Sequence, residues 1–416
     1  MSNTYEKFRN EIVAGGGIDV PDETVRGLRA FVGVGSMIAL LALLAVVNIW
    51  IFVFVVGMLV SVFLHEMGHF VTARRSGMKV TQFFMGMGPR LWSFKRNDIE
   101  YGVRALPIGA FVRIVGMNNL DETPPEDEPH TYRSKSYPKR MLVITAGSMM
   151  HMIIAVVLLF GVYNVWGKNR ATGEVTFVKV EANGPAAKAG LQPDDIIETA
   201  GGVVVTRASQ FVDLVHQRHP GDVAELGVRR NGKQLTVDVA LGTNPNVGSE
   251  GLAYLGVVSA DKSAFQNISF AEATTSSFTD LWSAAWQSVK GVGKVMNPVN
   301  IFSHLSGTNK DQSTQPVTVY GISRLSSTIG RETGLPGILL TLAGINVFIG
   351  LLNLFPLLPF DGGHAAIATY ERIRTRRGHR YTADVAKMVP VAMTVMTFLV
   401  FVLFAGLYLD ITNPIR

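Results

Sequence analysis

The chain has 416 residues, 48% apolar and 17% charged, with a net charge of +6 and no cysteine; its mean hydropathy of +0.26 points to an integral membrane protein with a soluble part. The lack of cysteine excludes disulfides and every thiolate metal site, leaving histidines and carboxylates as metal ligands. The basic balance could suit a nucleic acid, but basic residues beside membrane spans are expected from topology alone and no recognition motif accompanies them, so no nucleic-acid partner is expected.

In chain order, residues 1–29 read as an N-terminal tail of mixed charge, unlike the basic start of a signal peptide. Residues 30–74 form an N-terminal membrane segment. Ala30 to Leu64 carries no charge, which is too long for one untilted span and slightly short for two with a turn. Asn48 is the one plausible break. The reading favours a main helix from about Val47 to Arg74, with residues 30–46 as either an extra short span or a lipid-facing extension. That helix carries His65-Glu66-Met67-Gly68-His69. Histidines four apart share a helix face, so His65 and His69 can point at one metal, while Glu66 can take a proton from an attacking water.

Residues 75–140 are rich in Arg and Lys, and the positive-inside rule puts this loop in the cytoplasm, with the metal nearer that side of the bilayer. Within it, Leu91–Phe94 and Ile99–Val115 read as strands around an Arg96-Asn97-Asp98 turn, with bends at Gly86, Gly88, Gly102 and Gly109. This membrane-associated β-hairpin is either an amphipathic connector or an edge that pairs with an extended substrate. Residues 141–166 form an uncharged span in which Ala146-Gly147-Ser148 permits close helix packing. His151, inside it, is read first as a structural or water-bonded histidine and second as a zinc ligand.

Residues 171–258 change to short strands: Glu174–Val180, Ile196–Thr199, Ala224–Arg230 and Leu235–Ala240, the last two joined by Asn231-Gly232. Gly184 to Leu191, Asp194-Asp195-Ile196-Ile197 and a helix over Ser209–His216 resemble a bacterial PDZ domain, which implies recognition of a peptide or C-terminus by strand addition. Asp194 stands where such domains often carry Gly. An odd number of spans separates this domain from the basic loop, so it is expected outside the cytoplasm. Residues 260–334, an extracytoplasmic juxtamembrane region, are the least legible, although Phe270–Val295 has the apolar spacing of a helix lying on the membrane surface (Phe278, Leu281, Trp282, Ala285, Trp286, Val289).

Residues 335–358 form the next span, with Asn346 and Asn353 on nearly one face. Pro356 and Pro359 end or kink it, and Asp361 emerges at membrane depth, where an ionisable group needs a partner. No second Glu or His follows His69 at the spacing of soluble zinc proteases, which makes Asp361 the natural third ligand. Residues 359–387 carry Arg372, Arg374, Arg376, Arg377 and Arg380 and read as a second cytoplasmic loop, so both metal-binding segments approach from one side. Residues 388–409 are the final span.

His-Glu-x-x-His in a first core span, the PDZ-like insertion and the N-x-x-P-x-x-x-x-D-G pattern of residues 353–362 together resemble the site-2 protease family of intramembrane zinc metalloproteases, of the bacterial regulator of sigma-E protease type and with an actinobacterial cast. The resemblance implies that His65, His69 and Asp361 bind Zn2+, that Glu66 is the general base, and that Asn353 positions substrate or stabilises the oxyanion. Three departures stand out: Phe360 for a usual Leu, Ala110 for a common Gly, and His151 for a common Asn. The implied fold is an α-helical polytopic membrane protein with four core transmembrane helices, a fifth if residues 30–46 span, an inserted extracytoplasmic PDZ domain and the β-hairpin. The implied setting is the cell inner (plasma) membrane. The implied activity is hydrolysis of peptide bonds within the transmembrane segments of single-span proteins, such as anti-sigma factors already trimmed outside, with membrane lipid and a peptide or C-terminus at the PDZ domain as further partners. Two other readings are a membrane PDZ adaptor with an inactive metal site and a zinc-binding transporter or sensor. The complete set of metal and base residues weighs against the first, and Glu66 has no purpose in the second.

Overall fold

A computed structural model describes residues 27–117, 123–244, 251–309, 311–375 and 381–415. Most of the expected tail therefore lies outside the described residues. The chain divides into two units, Met1–Val162 with Thr274–Arg416, and Tyr163–Ala273.

The uncharged run is two helices, α1 (Leu28–Val47) and α2 (Ile49–Arg75). Asn48 between them has an extended backbone, and its side-chain oxygen accepts hydrogen bonds from the N–H groups of Trp50 and Ile51, both at 3.1 Å. This side-chain cap starts a second helix without a loop, which is why the run is slightly shorter than two spans and a turn. Strands β1 (Val80–Arg96) and β2 (Ile99–Ile114) follow, then helix α3 (Tyr137–Val165). β1 starts eleven residues earlier than the sequence reading has it, because the hairpin folds back on itself. Residues 82–85 pair with both 110–113 and 100–103, and residues 92–96 pair with 99–103. Two strands thus give four rungs, and the bend falls where Gly86, Gly88 and Gly109 have positive φ. Asn97 and Asp98, both at positive φ, close the tip as the turn residues expected there.

The second unit holds strands β3 (Lys168–Val180) and β4 (Ile196–Ala200), helix α4 (Ala208–His216), and strands β5 (Val223–Arg230), β6 (Lys233–Ala240) and β7 (Val257–Gln266). They form one sheet in the order β7-β3-β4-β5-β6, with Val203–Val204 paired to β4. Asn231 and Gly232, both at positive φ, make the tight β5–β6 turn. Alternate strand residues point inward, so Val175, Phe177, Ile197, Leu226 and Val228 pack on Phe211 and Val215 of α4 in one continuous core. The sheet continues beyond the expected 171–258 because β3 and β7 pair from Val180–Val257 as far as Lys168–Gln266.

The remaining helices are α5 (Phe270–Val295), α6 (Pro298–Leu305), α7 (Val319–Asn353), α8 (Asp361–Arg374) and α9 (Val389–Thr412). α5 exposes Phe278, Trp282, Trp286 and Val289. α7 breaks at Gly334 (φ 70°) just before Pro336, so the expected span begins at its break and is preceded by a further helical stretch. It ends at Asn353, ahead of Pro356. Five helices among the described residues are long and apolar enough to cross a membrane: Ala30–Val47 within α1, then α2, α3, α7 and α9. The apolar run of residues 30–47 is therefore a helix of its own, of spanning length.

Candidate zinc site

The site is assembled from three helices of the membrane unit. His65 and His69 lie one turn apart on α2, and both are buried. Asp361 is the first residue of α8 and turns toward them because the loop from Leu354 to Phe360 packs tightly under that helix. A Cβ at Gly362 would lie 2.2 Å from the Leu354 carbonyl oxygen, and one at Gly363 would lie 2.5 Å from Leu358 N. The Gly-Gly pair after Asp361 is thus a close-approach requirement that brings the carboxylate in.

His65 Nε2 and His69 Nε2 are 3.2 Å apart, and Asp361 Oδ2 lies 3.4 Å from the first and 3.3 Å from the second. Ligand bonds of about 2.0–2.1 Å around a tetrahedral zinc separate donor atoms by about 3.3–3.4 Å. The three donors therefore already mark one face of a zinc tetrahedron, leaving the fourth corner for a reactant. Asp361 Oδ2 has no hydrogen-bond partner, as a donor atom reserved for a metal should. His65, His69 and Asp361 are the one histidine and carboxylate cluster of this kind among the described residues.

α3 orients the donors. His69 Nδ1 lies 2.7 Å from the Val143 carbonyl oxygen. A carbonyl only accepts, so Nδ1 carries the proton and Nε2 keeps a free lone pair, on the side of His65 and Asp361, for a metal. One turn further on, a Cβ at Gly147 would fall 2.4 Å from His69 Nε2 and 2.4 Å from His65 Cε1. The small-residue run of α3 is therefore more than a packing surface, since any side chain at Gly147 would fill the space beside the donors. Glu66 is half-buried, its Oε1 4.0 Å from His65 Nε2.

His151 is not among the three donors. Its Nδ1 is 2.8 Å from Asn346 Oδ1, and Asn346 Nδ2 donates to Ser61 Oγ at 3.1 Å and to the Leu342 carbonyl at 2.8 Å. The Leu342 carbonyl fixes which end of the amide is nitrogen, so Oδ1 faces His151 and His151 Nδ1 carries a proton. The His151 ring stands 4.9 Å from that of His65. This buried chain joins α2, α3 and α7 one turn from the first ligand. Its sequence signal was three polar residues inside apolar spans, of which Ser61 was not singled out. The Val143 carbonyl left no sequence signal at all. Asn353 is the last residue of α7, half-buried, and its side chain makes no hydrogen bond to His65, His69 or Asp361.

The sequence pattern of Peptidase family M50 matches residues 53–397. The chain belongs to this family. Zinc metalloprotease Rip1 of Mycolicibacterium smegmatis is 32% identical over 409 residues, covering 88% of this chain and 98% of its own. Zinc metalloprotease Rip1 of Mycobacterium tuberculosis is 32% identical over 408 residues with the same coverage. The solved PDZ domain of an SdrC-like protein from Listeria monocytogenes is 22% identical, over 21% of this chain and 92% of that one, with a TM-score of 0.19. The M50 chain described here is a multi-pass membrane zinc metalloprotease, with Zn2+ as its cofactor, and its donor set fits that ion.

Proposed function

We propose that the protein hydrolyses peptide bonds within the transmembrane segments of single-span membrane proteins, with His65, His69 and Asp361 holding zinc and Glu66 as general base. The observation that carries this reading is a three-donor tetrahedral face whose two histidines lie on a helix of membrane-spanning length, α2, and whose carboxylate follows another, α7. Zinc at such a site supplies a Lewis acid for the scissile carbonyl and an acidified water. Glu66 takes the proton from the attacking water and delivers it to the leaving amine. Asn353, at the end of α7, offers a neutral N–H donor to the developing oxyanion, a contact typically worth about 3–4 kcal/mol.

A helical substrate hides its carbonyls in internal hydrogen bonds, so it must be held extended to react. The hairpin supports that role, since its 110–113 rung pairs on one side with 82–85 and is an outer rung of the four. The sheet unit is read as a PDZ domain outside the cytoplasm that docks a chain end or filters substrates by size, and the zinc site as lying nearer the cytoplasmic side. Anti-sigma factors already trimmed outside fit as substrates. The test is cleavage of a tagged single-span protein in cells. Loss of cleavage in Glu66→Ala with zinc retained supports the reading; cleavage equal to wild type sinks it.

A further inference from the structure

Where α3 enters the apolar layer, the protein has a cavity that the hydrolytic site does not use. It measures about 590 Å3 and lies between the first turn of α3 and the last two turns of α8. Lys135, Arg140 and Arg372 line it, together with the hydroxyl residues Ser136, Tyr137 and Thr375. Among the described residues that line it, the one carboxylate, Glu371, is engaged by Arg140 at 2.7 Å, so these side chains carry three positive charges against one negative. Arg140 is buried, its guanidinium lies 4.7 Å over the Tyr132 ring, and its Nε has no hydrogen-bond partner. Lys135 is held in place through a hydrogen bond from Nζ to the Pro129 carbonyl at 2.8 Å.

Depth identifies the ligand. Tyr137 is the first residue of a helix long and apolar enough to cross a membrane, and with that helix spanning, the cavity falls at the level of lipid headgroups. A phosphate there meets cations and hydroxyls together. Basic pockets beside membrane helices at this level suit anionic headgroups. We propose that this cavity binds the phosphate of an anionic lipid headgroup, one per chain, and so ties α8, which begins with Asp361, to the start of α3. The inference rests on the multi-pass fold and not on the assignment of the substrate.

The experiment is native mass spectrometry of the full chain in neutral detergent, titrated with phosphatidylglycerol or phosphatidylcholine. The expected result is one retained phosphatidylglycerol per chain and at least about tenfold weaker retention of phosphatidylcholine. Lys135→Gln with Arg372→Gln should weaken phosphatidylglycerol by about tenfold or more, whereas Arg75→Gln with Arg96→Gln, which removes the same charge elsewhere, should leave it unchanged. Both pairs place an uncharged glutamine at partly or fully exposed positions, and zinc content serves as the check that each variant folds. Equal weakening by the two pairs would mean a diffuse charged surface and overturn the proposal. Displacement of the lipid by inorganic phosphate at millimolar concentration would overturn the lipid assignment in favour of a soluble phosphate.

Discussion

The membrane unit and the sheet unit are held together by different means. In the sheet unit, alternation sorts side chains into a core of Val175, Phe177, Ile197, Phe211, Leu226 and Val228 and a charged outside. Several of its ion pairs, such as Arg229 with Glu174 and Glu198, are half-exposed and replaceable. In the long apolar helices of the membrane unit nearly every side chain is apolar, so hydrophobicity cannot specify which faces meet. There the contacts are specified by glycines that admit a neighbour and by rare polar groups that find one another: Gly147 against the two histidines, and Ser61, Asn346 and His151 in one chain. The same polar groups surround the zinc site. Packing and chemistry therefore depend on the same few residues in one unit and are separable in the other.

The largest effects are expected where they coincide. On the proposed roles, Glu66→Gln should lower cleavage by about 10²–10⁴-fold while zinc content stays near one per chain. Asp361→Ala should lose both. Metal analysis beside a cleavage assay distinguishes them, and a Glu66→Gln protein that loses its zinc would contradict the division of roles. Next comes Gly147→Ala. Its Cβ would enter the space 2.4 Å from His69 Nε2, so zinc retention and cleavage should each fall at least about tenfold, the donors being displaced by more than a site of this kind tolerates. Gly161→Ala, on the same helix with nothing within 4 Å of the new methyl, should change neither. Equal behaviour of the two variants would refute the idea that α3 shapes the site.

Both units were legible to different depths in the sequence. The meeting of His65, His69 and Asp361 could be read across nearly 300 residues because an ionisable group in an apolar setting demands a partner, and Asp361 had one candidate site to join. The β5–β6 turn was legible because Asn-Gly supplies two positive φ angles. The extent of β1 was not: its first half is Val80 to Gly88, a run without clean alternation, and it forms a strand only because residues 100–103 and 110–113 flank it on both sides. That pairing is tertiary and leaves no local pattern. The separate helix α1 was also ambiguous, since one capping side chain at Asn48 accomplishes what a loop normally does.

A smaller effect is expected at His151. His151→Ala leaves Asn346 Oδ1 buried without its donor, a loss of about 1–3 kcal/mol in an ordinary interior. On a positioning role for His151, cleavage should fall through kcat more than KM, and His151→Asn, which can still donate to Asn346, should recover part of it. Full activity in His151→Ala would show the chain to be dispensable.

In the sheet unit the comparison predicts stability changes without loss of zinc. Asp195 is buried and accepts hydrogen bonds from Arg230 Nε and Nη2 at 2.6 and 2.7 Å and from Gln192 N–H at 2.9 Å. Burial by itself raises its carboxyl, but Arg230 and the Gln192 N–H more than offset this and hold it below the ordinary 3.8. A depressed folded-state value gives stability that is present above that ordinary value and lost as pH falls through the folded one. Asp195→Asn should therefore speed hydrogen exchange in β4 and β5 of the full-length protein at neutral pH, by about 1–3 kcal/mol of opening free energy. The difference from wild type should shrink below about pH 4. A difference that persists undiminished in acid would rule out the carboxylate as its source.

The smallest effect is at Asp194, where related domains often carry Gly. Its φ is 68°, in the left-handed region that a side chain other than Gly enters at a cost of about 1 kcal/mol. Asp194→Gly relieves that strain but also loosens the unfolded chain, which offsets part of the gain. The net expectation is a stabilisation of the sheet unit below about 1 kcal/mol, read as slower hydrogen exchange in β3 and β4. No change is expected in zinc content or cleavage, because none of the described residues of this unit belongs to the candidate metal cluster. A marked fall in cleavage from so mild a change, with zinc intact, would mean that the two units are not separable and that the sheet unit sets the rate.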